Sequence, residues 1–209
     1  MSRRVEINVP GILARPSKPD DWTDRAVTVA HLRGNVRAEK FEHFSGILSR
    51  AFFQEKRARA LALLCDEYLQ EGWKVSLRGH SNGCDVICRA LNHVKYGTIS
   101  TIQLVGAACE ASFVNNGLNL HLRIGTVQKV LIHASPDDKA LWLARFTHPV
   151  LNRIGNGYGS LGFSGPLQVQ GEIAHRVRTF WHVGFRHSDY FRANCLEYLI
   201  DTMEDVQDD

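Results

Sequence analysis

No stretch of this chain stays apolar long enough to cross a bilayer. Its first residues, Met1-Ser2-Arg3-Arg4, run into a strand-like segment without the apolar core of a signal peptide. The expectation is a cytoplasmic protein with no membrane span. An excess of one charge is also missing, since 25 Lys and Arg against 22 Asp and Glu leave a net charge of +3. Basic residues are scattered except at Lys56, Arg57 and Arg59, which read as the solvated face of a helix, so no nucleic-acid partner is expected. The five cysteines (Cys65, Cys84, Cys88, Cys109, Cys195) are odd in number and irregularly spaced. With no Cys-x-x-Cys pair or His-x-x-x-His array beside them, they read as buried reduced thiols rather than a metal site or a disulfide framework.

What the chain does contain is an alternation of strands and helices. Val5, Ile7 and Val9 alternate with polar neighbours and predict a first strand ending at Pro10-Gly11. Asp20 or Asp21 is placed to cap a helix carrying Trp22, Ala26, Val29 and Ala30. An extended run, 36–44, precedes a long helix from about Ile47 to Leu69 that Glu71-Gly72 ends. Further strands are predicted at 73–78, 98–105, 129–134 and 177–183, with helices at 84–94, 138–146 and 189–203. This order predicts an α/β fold, a three-layer α/β/α sandwich around a mostly parallel sheet, formed as a single domain over residues 1–209.

Two stretches interrupt the alternation. Residues 107–128 are mixed, and 152–172 are glycine-rich. The second contains Gly157-Tyr158-Gly159-Ser160-Leu161-Gly162, formally a G-x-G-x-x-G. A dinucleotide turn needs a strand before it and a helix after it, and this segment has neither. It reads instead as a flexible loop near the functional site.

The most informative residues are Gly79-His80-Ser81-Asn82-Gly83, a G-x-S-x-G between a predicted strand and a predicted helix. A tight turn there pushes the serine out of the sheet, and a Cβ at either flanking position would collide with neighbouring backbone. A serine hydroxyl needs a base to take its proton, and the base needs an anion to orient it. After the predicted strand 129–134 comes Ser135-Pro136-Asp137-Asp138, which offers two acids. Asp138 is preferred, with Asp137 capping the following helix. Of the ten histidines, His80 is expected to point away from its neighbour Ser81. His133 and His182 fall on strands and read as core or supporting residues, while His121, His148 and His175 are spare loop candidates. His187 stands between the last strand and the last helix, where a base is wanted. Asn82, next to the serine, offers a backbone N–H to a developing oxyanion, and Ile12, after Pro10-Gly11, offers a second.

On Val9-Pro10-Gly11-Ile12, Gly79-His80-Ser81-Asn82-Gly83, Ser135-Pro136-Asp137-Asp138 and His187, the chain resembles the α/β-hydrolase superfamily in its compact bacterial esterase and lipase form. The resemblance spans roughly residues 4 to 203. It implies a minimal fold without a cap domain and a Ser81-His187-Asp138 triad. It further implies cleavage of a carboxylic ester, small or lipid-like, through an acyl-serine, without a cofactor. Access is then governed by loops at 16–22, 107–128 and 152–172, where Phe113, Val114, Leu118, Leu161 and Phe163 are candidates for an acyl pocket. The chain departs from the family in carrying Pro10 where many relatives have His, and in lacking the usual pair of N-terminal antiparallel strands. The same fold also hosts thioesterases, acyltransferases and non-catalytic binding scaffolds, which stand as the alternatives.

Overall fold

The computed structural model describes residues 3–11, 21–34, 36–42, 47–143 and 159–205, with the backbone alone at 47–52, 193 and 205. Six strands form one sheet: β1 (Arg4–Val9), β2 (Arg37–Lys40), β3 (Lys74–His80), β4 (Ile99–Val105), β5 (Val127–Ala134) and β6 (Val177–Trp181). Their spatial order is β2-β1-β3-β4-β5-β6, and every neighbouring pair is parallel. Interior strands are buried along most of their length because helices cover both faces, and β4 is buried at all seven positions. The edges differ: β2 is Arg-Ala-Glu-Lys, and β6 is only partly covered.

Four helices make the covering layers, α1 (Trp22–Arg33), α2 (Ile47–Gln70), α3 (Asn82–Ala90) and, past a short α4 (Leu118–Arg123), the last helix α5 (Ala193–Asp205). On one face, Ala58, Leu61 and Cys65 of α2 and Val86, Ile87 and Cys88 of α3 pack on Val5, Ile7, Leu77 and Ile102. On the other, Trp22 and Ala26 of α1 meet Leu196, Leu199 and Ile200 of α5 over Val105. The expected three layers are therefore present. Asp21 does precede α1, but it accepts the Asp24 and Arg25 amides through its main-chain carbonyl and makes no side-chain cap. Gly34 closes the helix at φ 72°, as a left-handed C-terminal residue should.

The strand order fixes where a site can form. The chain leaves β1 toward β2 and later leaves β3 toward β4, on opposite sides. The carboxyl ends of β1 and β3 thus flank the switch point, the crevice in which open α/β sheets bind their ligands.

A polar chain crosses the sheet beneath that crevice. The fully buried Arg78 guanidinium lies 3.1 Å from Glu6 Oε2, donates to Asn8 Oδ1 at 3.1 Å and donates to Gln103 Oε1 at 2.5 Å. The Gln103 amide then donates to the Leu199 carbonyl at 2.8 Å and faces His133 Nε2 at 3.0 Å. An amide NH₂ can only donate, so His133 Nε2 is the acceptor and its proton sits on Nδ1, 3.0 Å from His182 Nε2. Both rings are thereby neutral. Of the thiols, Cys65, Cys84, Cys88 and Cys109 are buried as expected, and Cys195 is half-buried. Among the described residues no group of side chains could hold a metal ion, and no helix is long and apolar enough to cross a membrane.

Burial pushes His133 well below the ordinary imidazole value, with the adjacent His182 and Arg78 adding to it, and burial lowers His121 and His182 as well. Unfolding frees these rings to take up protons below about pH 6.5, so the unfolded state binds more protons there and stability falls as pH falls. Urea titrations are expected to show a midpoint flat above the imidazole range and declining steadily beneath it, with less decline in His133→Gln.

Candidate active site

Ser81 occupies the sharp turn between β3 and α3, with φ 53° and ψ −120°. A non-glycine residue there is strained by about 1–3 kcal/mol, and its neighbours show what holds it. Ser81 N donates to the Val105 carbonyl at 3.0 Å, and Ala108 N donates to the Ser81 carbonyl at 3.1 Å. A Cβ on Gly83 would stand 2.3 Å from the Val9 carbonyl oxygen and 2.7 Å from that of Pro10. One on Gly79 would stand 2.7 Å from Ile87 Cδ1, and one on Gly11 3.0 Å from Ser81 Cβ. The exit of β1 therefore lies directly against the elbow. Helix α3 begins at Asn82, two residues earlier than expected, so the Asn82 amide falls in its first turn beside the serine. Asn82 is fully buried, its side chain paired with that of Gln54 on α2. Ile12, the other expected amide donor, lies outside the described residues.

The acid and base loops meet over Gly106. His187 Nδ1 is 2.7 Å from Asp138 Oδ2, with Asp138 fully buried and the His187 ring 24 % exposed. A carboxylate accepts, so Nδ1 carries the proton and the Nε2 lone pair is left free to act as a base. A Cβ on Gly106 would be 3.6 Å from His187 Nδ1 and 3.7 Å from Asp138 Oδ2, which puts this pair beside the segment that clamps Ser81. Among the described residues no hydrogen bond joins the Ser81 hydroxyl to the His187 ring. Such a contact commonly tightens only when substrate binds.

The two aspartates divide their work differently from the sequence expectation. Asp138 both faces His187 and accepts the Leu141 amide through Oδ1 at 3.1 Å, capping the helical residues 139–143. Asp137 caps nothing. Its Oδ2 accepts the Gly184 amide at 2.6 Å, and Ser135 Oγ donates to the Phe185 carbonyl at 2.7 Å. With His182 N on the Ala134 carbonyl at 2.8 Å, residues 134–138 grip the base loop at four points.

The histidines sort by partner. His133 and His182 support each other as expected, and the buried His121 Nε2 lies 3.1 Å from Asn92 Oδ1. His175 is exposed on the turn Gly171–Arg176, and His148 lies outside the described residues. His80 lies against His187: its ring centroid is 4.7 Å from that of His187, and its Nε2 is 3.0 Å from the His187 carbonyl oxygen. Burial, and then the nearby His187, press its pKa down to about 3.

The loop residues also differ from the reading as an acyl pocket. Phe113, Leu118 and Leu161 are wholly inside the core, and Val114 is exposed. Phe163 lines a cavity of about 890 Å³ with Pro136, Lys139, Trp142, Leu143 and Arg186. The described part of the glycine-rich run is a packed turn rather than a loose loop. Gly159 N donates to Ala108 O, Gly162 N to Ala107 O and Ser135 N to Gly162 O. A Cβ on Gly159 or Gly162 would lie about 2 Å from that backbone, so these glycines serve close approach, not phosphate binding.

No protein-family model and no curated protein matches the sequence. Solved structures do match the fold. An esterase from the Planctomycetes species Thermogutta terrifontis, solved with butyrate bound, superposes with a TM-score of 0.57 at 12% identity, over 98% of this chain and 82% of that one. An esterase from a Rhodococcus species gives 0.57 at 12%, over 98% and 90%. A protein described as a hydrolase of the α/β superfamily, from Xanthomonas campestris, gives 0.57 at 13%, over 97% and 99%. The fold is that of the α/β hydrolases, as the sequence resemblance implied.

The crowding at Gly83 gives a direct check on the elbow. Gly83→Ala must displace either α3 or the end of β1, and is expected to cost about 1–3 kcal/mol of stability. Gly34→Ala is the control, since its Cβ meets nothing within 4 Å and only its left-handed φ is strained. Thermal melts of the two variants should separate backbone collision from backbone strain.

Proposed function

We propose that the protein is a serine hydrolase that cleaves a carboxylic ester, small or lipid-like, through an acyl-enzyme. The observation that carries this reading is the buried Asp138 bonded to His187 Nδ1, together with a serine held on a strained strand-to-helix turn. Ser81 Oγ attacks the ester carbonyl and His187 Nε2 takes its proton. Asp138 keeps the ring in the tautomer with Nε2 free and stabilises the imidazolium that forms. The oxyanion is received by the Asn82 amide and by an amide of the chain following Gly11, for which Ile12 is the candidate. His187 then returns the proton to the departing alcohol. A water deprotonated by the same nitrogen attacks the acyl-serine, releasing the acid and restoring the hydroxyl. The residues in these roles require no cofactor.

A serine-reactive phosphonate should label the protein at Ser81. Ser81→Ala abolishes labelling. Asp138→Asn lowers kcat on nitrophenyl esters by about 10⁴-fold, because an amide can favour the wrong imidazole tautomer. Asp137→Asn, whose carboxylate only braces Gly184, is expected to cost about tenfold or less. A folded protein that stays unlabelled is a binding scaffold instead, and a preference for thioesters or for acyl transfer over hydrolysis moves the reaction to those classes.

A further inference from the structure

We propose that His80 is a positioning residue for the base: its Nε2–H holds the backbone carbonyl of His187 and so fixes the imidazole against the neighbouring Ser81. The inference rests on the hydrolase reading above and adds to the triad a residue outside it.

The His80 Nε2 to His187 oxygen distance is 3.0 Å, and a carbonyl can only accept. His80 therefore carries its proton on Nε2, with a lone pair on Nδ1. That second nitrogen faces the chain leaving β1, since a Cβ on Gly11 would stand 3.3 Å from it. The ring is fixed on its remaining sides by Phe191, edge-on at 4.6 Å, and by Trp22 at 6.4 Å. Trp22 and Phe191 are themselves stacked at 4.5 Å. Among the described residues the groups recorded against the ring are His187, Trp22 from α1, Phe191 from the turn Asp189–Phe191, and Gly11, none of which is a carboxylate.

This contact does something the triad cannot do for itself. Asp138 holds His187 through its ring, and the backbone bonds of the clamp stop at Phe185, two residues short of it. His80 holds the same residue by its main chain, and His80 is covalently joined to Ser81. The path from His187 to Ser81 is then one hydrogen bond and one peptide link, instead of a route through Asp138 and the ends of β5 and β4. Misplacement of a reacting group by about 1 Å can cost about 10²-fold in rate. Burial and the adjacent His187 keep His80 neutral across the working range, so it adds no like charge when His187 becomes an imidazolium.

The test compares two replacements. His80→Phe keeps an aromatic ring against Trp22 and Phe191 but has no donor, whereas His80→Gln places an amide N–H near the position of Nε2. On a nitrophenyl ester, His80→Phe is expected to lower kcat by about 10- to 100-fold with KM nearly unchanged, and His80→Gln to recover most of that loss. Full activity in His80→Phe, or equal losses in both variants, overturns the proposal and leaves the hydrolase reading standing. A wild-type protein inert to the phosphonate overturns that reading, and this role with it. If either variant fails to fold, ¹⁵N spectra of wild-type imidazoles decide. A ring protonated on Nε2 and not titrating between about pH 8 and about pH 4, assigned from site-labelled His80, supports the proposal. A ring that titrates near pH 6 overturns it.

Discussion

A close approach of two pieces of backbone governs the rest of this molecule. The Val9 and Pro10 carbonyls lie where Gly83 has no side chain, so the exit of β1 presses against the first turn of α3. Ser81, immediately before that turn, is held at φ 53° by what surrounds it rather than by its own preference. The parallel pairing of β1 with β3 brings these segments together, and the opposite departures of the two strands open the crevice above them. Sheet topology, glycine placement and serine exposure are one constraint seen at three scales.

A second constraint acts on the base. Loops are the variable part of an α/β fold, and a histidine on a free loop would be a poor catalyst. Here the loop that follows β6 is fixed along its length. His182 is joined to Ala134 and His133, Gly184 to Asp137, Phe185 to Ser135, and His187 to both Asp138 and His80. Ser135-Pro136-Asp137-Asp138 thus acts as a clamp with Asp138, bonded to His187, at one end.

Much of this was legible in the sequence, and the exceptions share a physical cause. Strand alternation at Val5, Ile7 and Val9, helical spacing through α2, and the glycines around Ser81 are local signals, and each element formed where they placed it. Asp138 and His187 could be chosen because chain order alone puts them on successive loops. What was missed depends on partners distant in sequence. Asp137 looks like a helix cap until Gly184, 47 positions away, claims its carboxylate. Gly159 and Gly162 look like a flexible run until the 107–109 backbone is packed against them. His80 gives no local sign of its partner, because the His187 carbonyl that it meets is 107 positions away.

The histidines around the site then acquire a common logic. His133 is locked neutral because Arg78 orients the Gln103 amide, and that amide can only donate to it. His182 accepts from His133, and His80 donates to a carbonyl, so each ring has one tautomer dictated by a group that does not titrate in the working range. Burial lowers all three. His187 alone of these four rings has a carboxylate bonded to it, so its proton sits on Nδ1 and Nε2 keeps its lone pair. In the proposed reaction that Nε2 is the nitrogen offered to the Ser81 proton. The buried polar chain beneath the sheet sets the tautomers of His133 and His182, while His80 takes its own from the His187 carbonyl.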